Sequence, residues 1–174
     1  LFNMAAIRAV ETGPPLVRDV WLPGIEVMAA RIEEGSERGL YLAAKGGHNS
    51  ESHNHNDVGS FIVYAGGKPA IIDVGVETYT AKTFSSRRYE IWTMQSAYHN
   101  LPTVGGVMQP PGREFAATET AYRSDEKQAE LSLNLEKAYP AEAGIASWRR
   151  TLLLDRAANE VRIQDRYRLA KAAP

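Results

Sequence analysis

Three of the four histidines in this chain of 174 residues lie within eight residues of one another: His48, His53 and His55. The fourth, His99, lies downstream, and Asp73 stands between the two groups inside an apolar run. Histidine is the commonest metal ligand in proteins and the side chain whose pKa lies nearest neutral pH. The pattern therefore indicates a metal site, a group that exchanges protons with a substrate, or both.

The spacing of these residues favours a metal site built from nitrogen and oxygen ligands. If this stretch is extended, the side chains of His53 and His55 leave the same face of the chain. A turn at Gly66-Gly67 would bring the strand of Asp73 back beside the preceding strand, and His99 would close the site from a loop. Two histidines, an aspartate and water form a tetrahedral zinc site, and a chain without cysteine offers no thiolate ligands.

Plainer roles exist for the same residues. His99 could be a loop histidine bonded to its neighbours, Asp73 could cap a turn, and His48 is read as an ordinary loop residue. The His-x-His pattern is also the first part of the ligand set in cupin metal sites. Those sites need a glutamate a few residues later, and Phe61–Ala65 has none. On the residues alone, a zinc site, a structural cluster and a cupin-like site all stay open.

Length and composition restrict the class of protein. A chain of 174 residues with 44% hydrophobic residues is long and apolar enough for one domain with a core. Its net charge of −1 gives no bulk attraction to nucleic acid, and it has no apolar run long enough for a membrane span. The chain begins at Leu1 and shows no signal peptide, and we expect it to be a piece of a longer protein.

The elements that must position these side chains are predicted to be strands. Apolar or alternating runs predict strands at residues 25–32, 39–44, 60–65, 69–76, 129–135, 148–154 and 160–169. Residues 1–12 are read as a short helical segment, 77–101 as a long loop with one helical turn, and 102–115 as loop or edge. Period-2 segments at this spacing predict an all-β fold, an antiparallel β-sandwich.

The stretch from Leu22 to about Phe115 resembles the heparinase II/III-like family of polysaccharide lyases. The resemblance is carried first by Lys45–Phe61, which reads KGGHNSESHNHNDVGSF. It continues in PAIIDVG at 69–75, in Arg88-Tyr89 and in SAYHN at 96–100. The long HNHND string followed by an aspartate and an HN pair is a specific combination.

The resemblance implies a domain arrangement and a metal. The family joins an N-terminal α/α toroid to a C-terminal antiparallel β-sandwich, so residues 1–21 would be a linker or the end of the toroid and 22–174 the sandwich. The family binds Zn2+ in the sandwich, and the matching ligands are His55, Asp73 and His99. A periplasmic or secreted location is implied in the same way.

The resemblance also implies catalytic residues. His53 matches a histidine that faces the substrate, and Tyr89, with Tyr79 as second choice, matches a tyrosine that faces the cleft. The family's tyrosine base and the group that neutralises the uronate come from the toroid, and no segment here matches them. The polar side chains expected at the cleft for substrate binding are Glu51, Asn54, Arg88 and Asn100, with Asn56 and Gln109 as further candidates for its rim.

The function implied is that of the metal-binding sandwich part of a polysaccharide lyase, which cleaves uronic-acid glycans of heparin, heparan or alginate type by β-elimination. The intact parent would be a carbon–oxygen lyase, and this chain alone, lacking the base, is expected to be inactive. The expected partners are an anionic polysaccharide and the toroid of the same parent chain. The alternatives are a non-catalytic carbohydrate-binding or structural sandwich, and a cupin-like metal enzyme.

Overall fold

The computed structural model describes residues 15–170, which form two antiparallel sheets packed face to face. The helical segment expected at residues 1–12 lies outside the described residues. In chain order the strands are β1 (Asp19–Leu22), β2 (Val27–Arg31), β3 (Leu40–Lys45), β4 (His48–Asn49), β5 (Phe61–Ala65), β6 (Lys68–Ile71), β7 (Gly112–Ala116), β8 (Thr118–Ser124), β9 (Gln128–Asn134), β10 (Ile145–Asp155) and β11 (Glu160–Leu169).

The strand order defines the sandwich. The first sheet runs β1-β2-β3-β5-β6 and the second runs β11-β10-β9-β8. A short third pair, β4 with β7, joins the segment after β3 to the segment before β8. All the pairings are antiparallel, so the predicted all-β antiparallel sandwich is confirmed.

The core lies between the two larger sheets and follows the alternation of the sequence. Four apolar side chains along β9 and just beyond it are fully buried: Ala129, Leu131, Leu133 and Leu135. They form one cluster with Met28 and Leu42 of the first sheet and with Leu152 of β10. Burial of each leucine contributes roughly 1.5–3 kcal/mol, so this shared core holds the two sheets together.

The hairpin predicted at Gly66-Gly67 is confirmed, because β5 and β6 pair across this turn. Strand β6 ends at Ile71, earlier than the predicted run to Val76, and Asp73 therefore lies in the loop after the strand. Strand β1 was not predicted. It pairs with β2 and lies mostly within residues 1–21, which the resemblance implied to be a linker or the end of a toroid.

The long connection between β6 and β7 carries four short 3-10 helices, where the sequence predicted a single helical turn. They span Ala81–Phe84, Arg88–Glu90, Trp92–Met94 and Ser96–Tyr98. Each is closed by backbone bonds three residues apart, such as His99 N–H to the Ser96 carbonyl at 3.2 Å. Single turns of this kind have no hydrophobic period that a sequence could reveal. Among the described residues no helix has the length and apolar character needed to cross a membrane.

Candidate metal centre

His55, Asp73 and His99 form a compact cluster of metal-ligand side chains. One ligand atom from each of the three lies within 4.8 Å of the other two. The His99 Nδ1 and Asp73 Oδ2 atoms are 2.7 Å apart, and the ring centroids of His55 and His99 are 5.1 Å apart. Zinc holds such atoms at about 2.0–2.2 Å, so the three side chains are near enough to share one ion after they rotate toward it.

Three different segments position the cluster. His55 lies in the loop after β4, where the next amide, Asn56 N–H, donates to the Met94 carbonyl at 2.9 Å. Asp73 sits just after β6, and its Oδ1 accepts from the Gly75 amide at 2.8 Å. Gly75 has a φ of 76°, which glycine adopts without strain. His99 follows the last 3-10 helix. The β5–β6 hairpin and the long connection together close the site.

The charges of the cluster suit a metal. Burial lowers the pKa of His55, and the neighbouring His99 lowers it further. Burial alone would raise the pKa of Asp73, but hydrogen bonds from His99 and from the Gly75 amide bring it below its ordinary value. At neutral pH the site therefore holds a neutral imidazole and a carboxylate, the forms that bind metal ions.

One buried atom of the cluster has no partner among the described residues. His99 Nε2 is fully buried without a hydrogen bond in this part of the chain. Buried polar atoms are almost always paired. An ion or a water molecule would satisfy this nitrogen. Because Asp73 contacts the other ring nitrogen, Nδ1, one ion shared by both residues requires the His99 ring to turn, and the nitrogen and oxygen donors of the cluster fit zinc.

His53 lies apart from the metal cluster. Its backbone φ of 57° is in the left-handed region, so the extended backbone under which His53 and His55 would share a face is not present at His53. The exposed His53 ring lies parallel to Tyr79, 6.4 Å between centroids, and edge-on to Phe84 at 6.0 Å. A non-glycine residue in this conformation is rare and often belongs to a functional site. The turn separates the environments of His53 and His55.

The two candidate tyrosines have different surroundings. Tyr79, the second choice from sequence, packs beside His53 and is 45% exposed. Tyr89, the first choice, donates its hydroxyl hydrogen to Asn54 Oδ1 at 3.0 Å. Tyr89 thus touches the residue next to His53 in sequence, and its catalytic role stays a prediction.

The four predicted substrate-binding residues all make bonds within the protein. Arg88 donates to the Asn54 carbonyl at 2.8 Å and to the Thr83 carbonyl at 2.9 Å. Asn100 donates to the carbonyls of Phe61 at 2.7 Å and Ile72 at 2.9 Å. These contacts fix the loops around the metal cluster.

Glu51 lies in a partly buried charged group near the start of the histidine loop. Its carboxylate is 3.6 Å from Lys45 Nζ, which bonds Asp57 at 2.8 Å. It also accepts from the His48 amide at 3.3 Å. Each of the four side chains thus makes hydrogen bonds within the protein. Their binding of substrate stays a prediction: Glu51, Asn54, Arg88 and Asn100.

Gln109 ties the two histidine-bearing loops together. Its Oε1 accepts from the Val58 amide and from Asn49 Nδ2, both at 3.1 Å, and its Nε2 donates to the Val58 carbonyl at 2.8 Å. Its backbone amide donates to Ser96 Oγ at 2.9 Å, and its carbonyl accepts from Asn56 Nδ2 at 3.2 Å. The expectation that Gln109 and Asn56 line an open rim is wrong, because both are buried, at 2% and 3% exposure. The sequence holds no signal for this role, since a lone glutamine in a loop reads as polar surface.

The open space beside the cluster is modest. A groove of about 230 Å³ has Asp73 and Asp57 in its wall, together with Phe61 and Lys45. Two larger grooves, of about 290 and 310 Å³, lie elsewhere in the described part of the chain. Only the smaller of these three grooves is lined by a member of the metal cluster, Asp73.

Comparison with known proteins agrees with this architecture. The family model described as "Heparinase II/III-like, C-terminal" matches residues 24–174. Two crystal structures of heparan sulfate lyase HepC from Pedobacter heparinus, one of a mutant, share the fold with a TM-score of 0.68 and 16% identity. Each alignment covers 93% of this chain and 24% of the lyase chain, so this chain spans about a quarter of that protein. A search of curated proteins returned no match.

Proposed function

The chain belongs to the heparinase II/III-like family, and from this premise we propose that it is the metal-binding sandwich part of a polysaccharide lyase that cleaves uronic-acid glycans by β-elimination. The separation of His53 from the triad of His55, Asp73 and His99 carries the proposal. In support of it, His53 is exposed beside Tyr79, whereas His55 lies in the cluster of three side chains that could hold an ion.

The ion has a structural part in this proposal. Zinc, when bound to His55, Asp73 and His99, would link the loop after β4 to the loops after β6 and after the last 3-10 helix. Elimination consumes no water, so the reaction needs no metal-activated hydroxide. Fixing the loop of His55 also fixes His53, two residues away, and holding a reacting group in place can supply a large share of a rate enhancement.

The chemistry assigns His53 to the sugar. The C5 proton of a uronate leaves only when the carboxylate is neutralised and the developing negative charge is stabilised. An exposed imidazole can hydrogen-bond that carboxylate or help to move the proton, and a tyrosine can bind the sugar or protonate the leaving oxygen. In this proposal His53 hydrogen-bonds the carboxylate or helps to move the proton, and Tyr89, or Tyr79 beside the His53 ring, binds the sugar or protonates the leaving oxygen.

The remaining parts of the site belong to the parent protein in this proposal. HepC is about four times longer than the matched region, which leaves room for a further domain. We assign the base and the group that neutralises the carboxylate to an α/α toroid of the same parent chain. An anionic polysaccharide as the substrate implies a periplasmic or secreted enzyme.

The test is the substitution His53→Ala in the parent protein. We expect kcat on a uronate polymer to fall strongly while bound zinc is unchanged, because His53 lies outside the metal cluster. Release of the unsaturated product is followed by its ultraviolet absorbance, and zinc by elemental analysis. The matched control is His48→Ala, which should change neither quantity.

Two results would contradict the proposal. Loss of zinc in His53→Ala would mean that the roles of the two histidines are exchanged. A parent protein that binds zinc and glycan but releases no unsaturated product would instead support the non-catalytic carbohydrate-binding sandwich.

A further inference from the structure

The outer face of the second sheet carries a row of arginines. In the β10–β11 ladder Arg149 pairs directly with Arg166, and Ser147 pairs with Arg168. The intervening pair, Trp148 with Tyr167, belongs to the opposite face because neighbouring residues of a strand alternate. Arg149, Arg166 and Arg168, here called the arginine row, therefore share the face that points away from the core.

The charges of the arginine row are not neutralised within the described residues. None of its three guanidinium groups has a carboxylate within 4.0 Å in residues 15–170. Other arginines on this face do, since Arg162 pairs with Glu160 and Arg123 with Glu130, each at 2.9 Å. Like charges directly opposite each other in a sheet are destabilising. The Arg149–Arg166 pair thus has a cost that a bound anion would remove.

Neutral groups hold Arg149 in place without cancelling its charge. Its guanidinium donates to the Glu119 carbonyl at 3.0 Å, to Asn134 Oδ1 at 3.1 Å and to Ser132 Oγ at 2.7 Å. The nearby Glu119 carboxylate accepts from Asn134 Nδ2 at 3.0 Å. Arg149 is therefore oriented in advance, while Arg166 and Arg168 are exposed.

Hydroxyl and amide side chains surround the arginine row. Thr151 pairs with Gln164 one step along the same face of the ladder, and Ser132 lies opposite Thr151 on β9. Such side chains hydrogen-bond to sugar hydroxyls, while guanidinium groups bind carboxylates and sulfates in a bidentate manner. The aromatic side chains that nucleic-acid surfaces use for stacking do not occur on this face of β10 and β11.

We propose that this face is a second binding surface for an anionic glycan, separate from the metal centre. It would hold a part of the polymer that is not being cleaved. The ligand class rests on the proposed function, and the location rests on the sheet register alone. Since the whole chain has a net charge of −1, the attraction would be local to the arginine row and sensitive to salt.

The test compares two double variants of the 174-residue chain that each remove two charges from the same sheet. R166Q/R168Q removes unpaired arginines, and R123Q/R162Q removes arginines that are paired with glutamates. Binding to a sulfated polymer of heparin type and to alginate is measured over a range of salt concentrations, once without and once with a chelator, so that a contribution of the metal site can be separated. The single variant R149Q extends the series.

We expect R166Q/R168Q to weaken binding roughly tenfold at low salt and to reduce the salt slope by roughly one per lost arginine. R123Q/R162Q should change affinity less than about twofold, because exposed ion pairs leave little net charge for a ligand. Equal weakening by both variants would overturn the proposal. Tighter binding to duplex DNA than to the glycans at the same salt would overturn the ligand class. Binding that the chelator abolishes would place the glycan at the metal centre and leave the proposed function standing.

Discussion

At the scale of single residues, two histidines two positions apart have different surroundings. His55 is half-buried beside His99, whereas His53 is exposed beside Tyr79 and Phe84. The left-handed backbone at His53 causes the separation. Two histidines this close in the chain can therefore have different roles, one in the candidate metal centre and one toward a substrate, as proposed above.

The metal ligands can be tested one by one. Protein purified without added metal should carry about one zinc per chain, and either His55→Ala or Asp73→Ala should lose it. Each change removes one of three donors, and the remaining two cannot complete a tetrahedral site. Elemental analysis gives the zinc content, and His48→Ala is the control because its histidine lies outside the cluster. Full zinc in both alanine variants would exclude this site.

At the scale of elements, the candidate metal centre depends on how loops are held against the sandwich. Gln109 joins the loop of His55 to the segment before His99 through buried hydrogen bonds. Because each buried group that loses its partner costs about 1–3 kcal/mol, this one side chain has a large effect on the relative position of the two loops.

Gln109→Ala should therefore lower both stability and metal affinity. We expect a loss of about 2–4 kcal/mol in the free energy of unfolding, because the Val58 backbone groups and Asn49 lose partners. Zinc affinity should fall about 10–100-fold, as when other supporting contacts of metal sites are removed. Denaturant titration and competition with a chelating dye measure the two quantities. Gln164→Ala, on the exposed face of β11, should change neither. A destabilised variant with unchanged zinc affinity would restrict Gln109 to a core role.

The register of the second sheet can be tested with two adjacent leucines. Leu152 is fully buried between the sheets, and Leu153 lies on the outer face opposite Arg162. Leu152→Ala should destabilise the protein by about 2–5 kcal/mol because it leaves a cavity in the core. Leu153→Ala should cost less than about 1 kcal/mol. A reversed order in denaturant titrations would mean that β10 is shifted by one residue.

At the scale of the whole molecule, Arg150 connects the second sheet to the loops around the site. It pairs with Asp165 at 2.8 Å and donates to the carbonyls of Gly59 at 2.9 Å and Asn100 at 3.1 Å. Gly59 precedes β5, and Asn100 follows His99 of the candidate metal centre. The stability of the sandwich and the geometry of the site therefore both depend on the buried guanidinium of Arg150.

This ion pair predicts a dependence of stability on pH. Burial alone would raise the pKa of Asp165, but hydrogen bonds and charge from Arg150 bring it below the ordinary value of 3.8. A carboxyl group whose pKa is lowered by folding stabilises the folded state above its unfolded pKa, and this contribution is lost as the pH falls through the lowered folded pKa. The melting temperature should thus decrease as the pH falls below about 4.

Asp165→Asn should remove this part of the acid sensitivity. The variant will be less stable at neutral pH, because a buried arginine without its carboxylate costs about 3–5 kcal/mol, but its melting temperature should change less between pH 5 and pH 3 than that of the native protein. Asp155→Asn, at the far end of β10, is the control. The same acid-induced decrease in Asp165→Asn as in the native protein would exclude Asp165 as its source.

The sequence by itself determined the fold class, and the family resemblance that it carries implied which three side chains would cluster. The alternation in Ala129–Leu135 specified a strand with one buried face, because a side-chain period of two places every second residue on the same face of a strand. The HNHND string, with Asp73 and His99, carried the resemblance that implied the ligands, and the structure brings these three side chains together. The hairpin at Gly66-Gly67 followed from turn chemistry that acts over a few residues.

Only the tertiary structure decided where the other residues act. Segments far away in sequence bury Gln109 and provide the backbone carbonyls that accept hydrogen bonds from Arg88 and Asn100. The positive φ of His53 likewise has no local signal in the sequence. The arginine row likewise exists only through the register of β11 against β10. Local patterns report which face of a segment is apolar, but the partner of a polar side chain is set by long-range packing, for which one sequence carries no local signal.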